Sequence, residues 1–263
     1  MSAPTPKPQP SNFTWYELHT FDSDSAAAFY AGVLGWSTND AAVPGRRYTL
    51  VSAGDAPVGG LLEKPANSFA DGAKPAWVGY IGVDDLDTYS KRVEQAGGMV
   101  HRAAEDIPGV GRFAVVADPQ GAIFVLFQPN AQMAQSEVPP AAKPGSVAWH
   151  ELIAADWPSA FAFYAGLFGW SKADAIDMGS AGVYQIFTAG SAPIGGMMAP
   201  MGPAAGSRWL FYFRVAGIEA AMALVKQHGG TVVDGPSPVP GGEQIAHCLD
   251  PQGAMFGMVS REG

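Results

Sequence analysis

The sequence contains an internal repeat, and this repeat constrains the fold more than any other feature of the chain. Four stretches recur in the same order: WYEL at 15–18 and WHEL at 149–152, FYAG at 29–32 and 163–166, APVGG at 56–60 and APIGG at 192–196, and DPQGA at 118–122 and 250–254. Such a repeat indicates tandem copies of one structural unit rather than one large domain. The 263 residues therefore predict two similar domains, each long enough to bury its own core.

Composition indicates where the two domains begin and end. We predict a disordered tail at 1–11, a first domain at 12–129, a linker at 130–145 and a second domain at 146–260. The tail is rich in proline and lacks the apolar segment that a signal peptide needs. The linker contains three prolines, which favour an extended spacer.

Each copy divides again into two units with the same order of elements. Residues 13–20 alternate between apolar and polar side chains, which predicts a strand, and Asp22 then caps a helix that Gly35 ends. Further strands follow, and a second strand and helix begin at Trp77 and Leu86. The pattern predicts two units per copy, of order β-α-β-β with a further strand in the second, and therefore an α+β fold.

The motifs at the element boundaries carry a family resemblance. They are the aspartate-led helix with Phe29-Tyr30 and Gly35-Trp36, the pair Asp84-Asp85, the helix end Gly97-Gly98, and the turn Asp118-Pro119-Gln120-Gly121. With them the chain resembles the vicinal oxygen chelate superfamily, which includes glyoxalase I, bleomycin-resistance proteins and extradiol dioxygenases. In its duplicated form it looks like the bacterial two-domain glyoxalase-like proteins.

The resemblance implies a specific architecture. Four βαβββ modules would form two curved, cup-shaped sheets with mixed or antiparallel strands, the helices would lie outside, and the inner face of each sheet would line a small-molecule cavity. Relatives with a metal take His, Gln or Glu from the first strand of each module and Glu from the last strand. Counted from the shared motifs, those positions fall on residues that are not metal ligands: Trp15, Trp149, Val78, Leu210, Val125 and Gly257. We therefore expect no cofactor, and a divalent metal would need other ligands.

Strand alternation then predicts which side chains face each cup. Glu17 and Glu151 would face inward from an apolar wall that raises the pKa of a carboxyl group, so both are candidate acid–base residues, and His19 is a third candidate in the first copy. Candidate ligand-binding residues on the same faces are Trp15, Tyr80, Trp149, Tyr212 and Arg214. The alternative is structural: each glutamate would be held in a pair, for example Glu151 with Arg214.

Charge and cysteine content restrict the partners. A formal net charge of −9 with no cluster of Lys and Arg argues against binding to nucleic acids or anionic membranes. The single cysteine, Cys248, excludes an intrachain disulfide and indicates a reducing compartment, most simply the cytoplasm. Its apolar surroundings predict a buried, inert thiol. We expect a small-molecule ligand and a monomer or homodimer.

Three functions stay open at this point. The first is a glyoxalase-like protein that binds an apolar or aromatic small molecule. The second is a lyase, isomerase or dioxygenase-like enzyme that acts on a small carbonyl or phenolic substrate, with Glu17 or Glu151 as the general base. The third is a protein-interaction role with both cups vestigial.

Overall fold

The computed structural model describes residues 11–43, 45–65, 67–68, 74–131, 143–202 and 206–261. These residues form an α+β fold of four βαβββ modules, as the sequence predicts. Residues 1–10 of the predicted tail and 132–142 of the predicted linker lie outside the described residues, so the predicted domain boundaries stay a prediction.

The two copies contain the same series of elements. The first copy has β1 (Phe13–Thr20), α1 (Ser23–Leu34), β2 (Ser37–Asp40), β3 (Tyr48–Ala53), β4 (Ala56–Glu63), β5 (Ala76–Gly82), α2 (Leu86–Gln95), β6 (Met99–Ile107), β7 (Gly111–Ala117) and β8 (Ile123–Pro129). The second has β9 (Val147–Ile153), α3 (Trp157–Phe168), β10 (Ser171–Asp177), β11 (Val183–Ala189), β12 (Ala192–Met198), β13 (Arg208–Arg214), α4 (Ile218–Gln227), β14 (Thr231–Val239), β15 (Glu243–Leu249) and β16 (Met255–Arg261).

The strands of each copy form one eight-stranded mixed sheet. The order is β2-β3-β4-β1-β5-β8-β7-β6 in the first sheet and β10-β11-β12-β9-β13-β16-β15-β14 in the second. The first strand of a module pairs in parallel with its last strand, as β1 does with β4 and β13 with β16, while the hairpins within a module are antiparallel. The shared order follows from the repeat in the sequence.

The first helix of each copy begins and ends where the sequence predicts. The Asp22 carboxylate accepts a hydrogen bond from the backbone N–H of Ser25, and Gly35 ends α1 with a left-handed φ of 70°. In α3, Asp156 caps the first turn and Gly169 ends the helix in the same way. Aspartate suits the first position because it accepts from an unpaired helix N–H, and glycine suits the last because it has no Cβ to clash.

The described residues divide into two compact units that each draw on both copies. One contains described residues of 1–14, 79–136 and 151–209, and the other contains those of 15–78, 137–150 and 210–263. Each sheet is formed by the strands of one copy, whereas each compact unit combines one module from the first copy with one module from the second.

A buried chain of hydrogen bonds in each unit explains the repeated Asp-Pro-Gln-Gly turn. In the first unit, Trp209 Nε1 donates to Tyr164 Oη at 3.0 Å, and Tyr164 donates to Asp118 Oδ2 at 3.3 Å. The backbone N–H groups of Gln120 and Ala122 both donate to Asp118 Oδ1 at 2.9 Å. Burial raises the pKa of the Asp118 carboxyl group above its ordinary value.

The second unit repeats this arrangement with the parts exchanged between the copies. Trp77 Nε1 donates to Tyr30 Oη at 2.9 Å, and Tyr30 donates to Asp250 Oδ2 at 3.2 Å. The Gln252 side chain also donates to the backbone carbonyl of Asp22, the capping residue of α1, at 2.8 Å. The turn of one copy therefore fixes the first helix of the other, so this motif has a structural role.

Candidate functional site

Strand β1 presents two different faces. Tyr16, Leu18 and Thr20 are buried on one face, whereas Trp15 and His19 are half-buried on the other, which we call the inner face of the first sheet. Glu17 lies on the inner face between Trp15 and His19 and is only 5% exposed. The alternation that places Trp15, Glu17 and His19 together is therefore present in the structure.

These three residues and Tyr48 form a connected group, the Glu17 cluster. His19 Nε2 lies 2.8 Å from Glu17 Oε1, and Trp15 Nε1 donates a hydrogen bond to Tyr48 Oη at 3.0 Å. Because a carboxylate can only accept, Nε2 carries the proton in the His19–Glu17 bond. Burial, and then the negative charge of the neighbouring Glu17, raises the pKa of the Tyr48 hydroxyl well above its ordinary value.

A glycine makes this cluster possible. Gly60 on β4 lies between Glu17 on β1 and Leu50 on β3, and a Cβ at Gly60 would overlap the ring of Tyr48. Tyr48 can therefore lie across β4 and reach the side chains of β1. In the second copy Tyr184 covers Gly196 in the same way. The Gly-Gly pair also lies beside a register shift between β3 and β4, where the pairing of the two strands is irregular.

The second copy retains only part of the cluster. Glu151 is 7% exposed, but the residue two positions later is the buried Ile153, where the first copy has His19. The carboxylate–imidazole pair therefore belongs to the first copy. Tyr80, predicted to contact a ligand, is buried and packs edge-on against Phe127, with the ring centroids 6.2 Å apart.

Tyr212 and Arg214 on β13 have partners that the sequence analysis did not identify. Tyr212 is 2% exposed, and its Oη lies 2.6 Å from His247 Nε2. Arg214 Nη1 donates to Glu243 Oε1 at 2.5 Å, an ion pair that the sequence did not predict, and the suggested pair of Glu151 with Arg214 stays a prediction.

Two tryptophans, one histidine and the cysteine are held in buried contacts that indicate a structural role. Trp77 and Trp209 pack against the first helices through the hydrogen bonds described above. His150 is buried, and its Nε2 lies 2.6 Å from the Tyr16 hydroxyl. Cys248 is buried, and burial raises the pKa of its thiol to about 12, as expected of an inert cysteine.

Counted from the shared motifs, the metal positions of the superfamily fall on side chains that would not bind a divalent ion. The first-strand positions carry tryptophan, valine or leucine, and the last-strand positions carry Val125 and Gly257, none of which offers an oxygen or imidazole ligand from its side chain. Across the described ranges, no group of three or more His, Cys, Asp or Glu side chains could hold a metal ion. The predicted absence of a metal stays a prediction.

One cavity of the described structure has none of the predicted site residues in its lining. It is an open depression of about 420 Å³ at the beginning of α4, where Gln244, Ser260 and Arg261 also line it. A ligand cavity in each copy therefore stays a prediction. In the described part of the chain, no helix has the length and apolar character needed to cross a membrane.

The repeat, the module order and the sheet topology agree with a comparison against known protein families. The family model of the glyoxalase/bleomycin resistance protein/dioxygenase superfamily matches residues 12–126 and again residues 146–258. The chain belongs to this superfamily. Both matches lie within the copies that the repeat defines.

Relatives in the superfamily match along nearly the whole chain. A Mycobacterium tuberculosis protein, CFP32, whose name carries a provisional glyoxylase designation, is 32% identical over 247 residues, which are 93% of each chain. The Streptomyces peucetius anthracycline biosynthesis protein DnrV is 33% identical over 265 residues, covering 95% of this chain and 93% of the relative.

Solved structures of lower identity share the fold. The Mn(II)-bound glyoxalase from Novosphingobium aromaticivorans has a TM-score of 0.68 at 17% identity, over 97% of this chain and 83% of that one. An extradiol ring-cleaving dioxygenase from B. fuscum has a TM-score of 0.67 at 15% identity, over 99% and 74%. At these identities the comparison supports the fold and not the chemistry.

Three side chains of the inner faces were missed by the sequence analysis. The repeat could have indicated Tyr48, because Tyr48 and Tyr184 stand at the same position of each copy, twelve residues before the second glycine of the Gly-Gly pair. His247 and Glu243 had no such signal, since the first copy has Val115 and Gly111 at the corresponding positions. Pairing across the sheet, rather than spacing along the chain, places His247 beside Tyr212 and Glu243 beside Arg214.

Proposed function

We propose that the protein binds an apolar, aromatic small molecule that carries a hydroxyl or carbonyl oxygen, and that the Glu17 cluster is its principal binding site. The observation that carries this proposal is the His19–Glu17 pair, at 2.8 Å, on the same strand face as the half-buried Trp15. Aromatic side chains beside a few fixed polar groups are the usual composition of a small-molecule site.

Each part of the cluster has a defined role in this binding. The indole of Trp15 offers a flat apolar surface, and its orientation is fixed by the hydrogen bond to Tyr48. The Glu17 carboxylate accepts a hydrogen bond from a ligand hydroxyl, while His19, whose side chain is 20% exposed, holds the carboxylate in place. Burial strengthens these polar contacts because less water competes for them.

Two relatives support this ligand class by their names. The proteins DnrV and DauV are both named for anthracycline biosynthesis, and anthracyclines are polycyclic aromatic compounds with hydroxyl and carbonyl oxygens. A ligand of this class matches the combination of Trp15 and Glu17. The protein-interaction alternative is less favoured, because it gives the hydrogen-bonded pair of Glu17 and His19 no role.

A second candidate function is proton-transfer catalysis on the same class of compound. The His19–Glu17 contact favours it, since a carboxylate paired with an imidazole can remove a proton next to a carbonyl and return it elsewhere. Glu17 would be the base in this reaction, and His19 would take up or release the proton. Nuclear magnetic resonance in deuterated water distinguishes the functions, because only the enzyme exchanges acidic C–H protons of a bound carbonyl compound for deuterium.

Binding titrations with designed variants test the primary proposal. Hydroxyquinones and substituted phenols would be titrated against wild-type protein while tryptophan fluorescence is recorded. We expect Glu17→Gln to weaken binding about tenfold through loss of a charged hydrogen bond. His19→Ile introduces the residue that the second copy has at this position, so it removes the imidazole with little risk to folding.

The second copy provides the matched control. Glu151→Gln makes the same chemical change in a copy with Ile153 in place of the histidine. We expect it to affect the tightest binding event less than Glu17→Gln does. Equal affinities of wild-type protein and Glu17→Gln for every bound compound, with both proteins folded, would refute the proposed site.

A further inference from the structure

The inner face of the second sheet contains a row of four residues that differs from its counterpart in the first sheet. Adjacent strands pair Asp234 with His247, His247 with Gly257, and Gly257 with Tyr212. These residues therefore lie side by side across β14, β15, β16 and β13. The corresponding row of the first sheet is Arg102, Val115, Val125 and Tyr80.

Only the tyrosine is common to the two rows, and the three differences act together. A Cβ at Gly257 would overlap the ring of Tyr212, so the glycine allows the tyrosine to lie across β16 and reach His247. The distance from Tyr212 Oη to His247 Nε2 is 2.6 Å. In the first sheet the buried Val125 occupies the position of Gly257, and Val115 has no imidazole to offer.

The surroundings of His247 suit the uptake of a proton. Its side chain is 22% exposed, and Nδ1 lies 3.8 Å from Asp234 Oδ2, so a proton added to Nδ1 would be stabilised by the carboxylate. Nε2 is held by Tyr212. Among the charged groups on the surrounding strands, Arg214 and Glu243 pair with each other, and Arg261 Nε lies 3.9 Å from Glu243 Oε1. Arg208 lies at the other end of β13, and Glu151 lies on the neighbouring strand β9.

We propose that His247, positioned by Tyr212 and Asp234, forms a second ligand site that takes up an apolar molecule with an ionisable hydroxyl group and binds it as its anion. In the neutral ring the proton is on Nε2, which donates it to Tyr212 Oη, so Nδ1 can accept a second proton. The ligand O–H bond breaks, the proton moves to His247 Nδ1, and the ligand oxyanion pairs with the imidazolium. The apolar part of the ligand lies against the cluster of Leu210, Val259 and the neighbouring Trp149. This site shares no residue with the Glu17 cluster, because His247, Tyr212 and Asp234 belong to the second copy and all four residues of the cluster belong to the first.

The colour of 4-nitrophenol provides a direct test, because its anion absorbs visible light and the neutral phenol does not. We expect wild-type protein to increase the fraction of anion at a pH at which the free compound is mostly neutral. His247→Val, which introduces the residue of the first copy, should abolish this shift and weaken binding about tenfold. His101→Val removes an exposed histidine elsewhere and should leave the shift unchanged.

Two further measurements separate this role from a structural one. Tyr212→Phe keeps the ring over Gly257 but removes its hydroxyl. We expect this variant to increase the fraction of 4-nitrophenol anion less than wild type does, with a changed pH profile. Its circular dichroism spectrum should be unchanged. In ¹⁵N-histidine spectra, the Nδ1 resonance of His247 should report protonation when 4-nitrophenol binds. An unchanged colour shift in folded His247→Val, or no shift with wild-type protein at saturation, would overturn the proposal whatever the Glu17 variants show.

Discussion

Replacing Gly60 by alanine should destabilise the protein by displacing Tyr48. An added Cβ would occupy the space of the Tyr48 hydroxyl and the adjoining ring carbons, so the ring must move. Overpacking of this kind typically costs about 1–3 kcal/mol in the free energy of unfolding. Displacement also breaks the bond from Trp15 Nε1 to Tyr48 Oη, and a bond of this type contributes about 0.5–1.5 kcal/mol. The two costs do not add, because moving the ring breaks the hydrogen bond but also relieves the overlap. We therefore expect Gly60→Ala to lower the free energy of unfolding by about 1–3 kcal/mol in total.

Urea unfolding followed by fluorescence measures this change, and a double-mutant cycle identifies its cause. In a Tyr48→Leu background the shorter side chain does not cover Gly60, so Gly60→Ala should cost much less there. Gly166→Ala is a matched control, because nothing lies within 4 Å of a Cβ at this glycine in α3, and it should stabilise the helix by about 0.5–1 kcal/mol. Our account of the cluster is refuted if Gly60→Ala is as stable as wild type, or costs the same in both backgrounds.

Two predictions concern groups outside the candidate sites. Because the pKa of the Cys248 thiol is raised to about 12, Ellman's reagent at mildly alkaline pH should react slowly with native protein and fully with unfolded protein, and rapid native reaction would contradict its burial. Burial raises the pKa of the Asp118 carboxyl group above its ordinary value of 3.8. The contribution of this group to the free energy of unfolding is therefore fully present below pH 3.8 and is lost as the pH rises through the folded-state pKa. Urea unfolding across this pH range should therefore show a weaker fall in stability for Asp118→Asn than for wild type, and equal slopes would contradict this.

Most of the fold could be predicted because its signals lie close together along the chain. Capping by Asp22 and Gly35 fixed α1, and alternation along β1 placed Glu17 and His19 on one face. Strand β2 is the exception. All four of its residues, Ser37–Asp40, are exposed, so no apolar alternation marks it.

The candidate sites were only partly predictable, because they depend on contacts between strands. Tyr48 joins Glu17 and Trp15 through the space above Gly60, and Tyr212 joins His247 through the space above Gly257. A glycine in the sequence shows that a side chain is missing, but not which neighbouring residue fills the space. That depends on strand order and register, which the spacing of motifs does not reveal.

The structure also separates two kinds of repeated motif that look alike in the sequence. The turns at Asp118 and Asp250 recur because each fixes a helix of the other copy. Glu17 and Glu151 recur as well, but only Glu17 has a histidine two residues later. Recurrence within the chain therefore identifies residues that both copies need, and differences between the copies identify where their chemistry can differ.

The central claim is that the Glu17 cluster binds an oxygen-bearing aromatic molecule. Its most direct test is a crystal structure of the protein with the compound that binds most tightly in the fluorescence titrations. We predict density for the compound against the indole of Trp15, with one of its oxygens within hydrogen-bonding distance of the Glu17 carboxylate. Density only in the depression beside Gln244 and Arg261, or an inner face without ligand at saturating concentration, would contradict the claim.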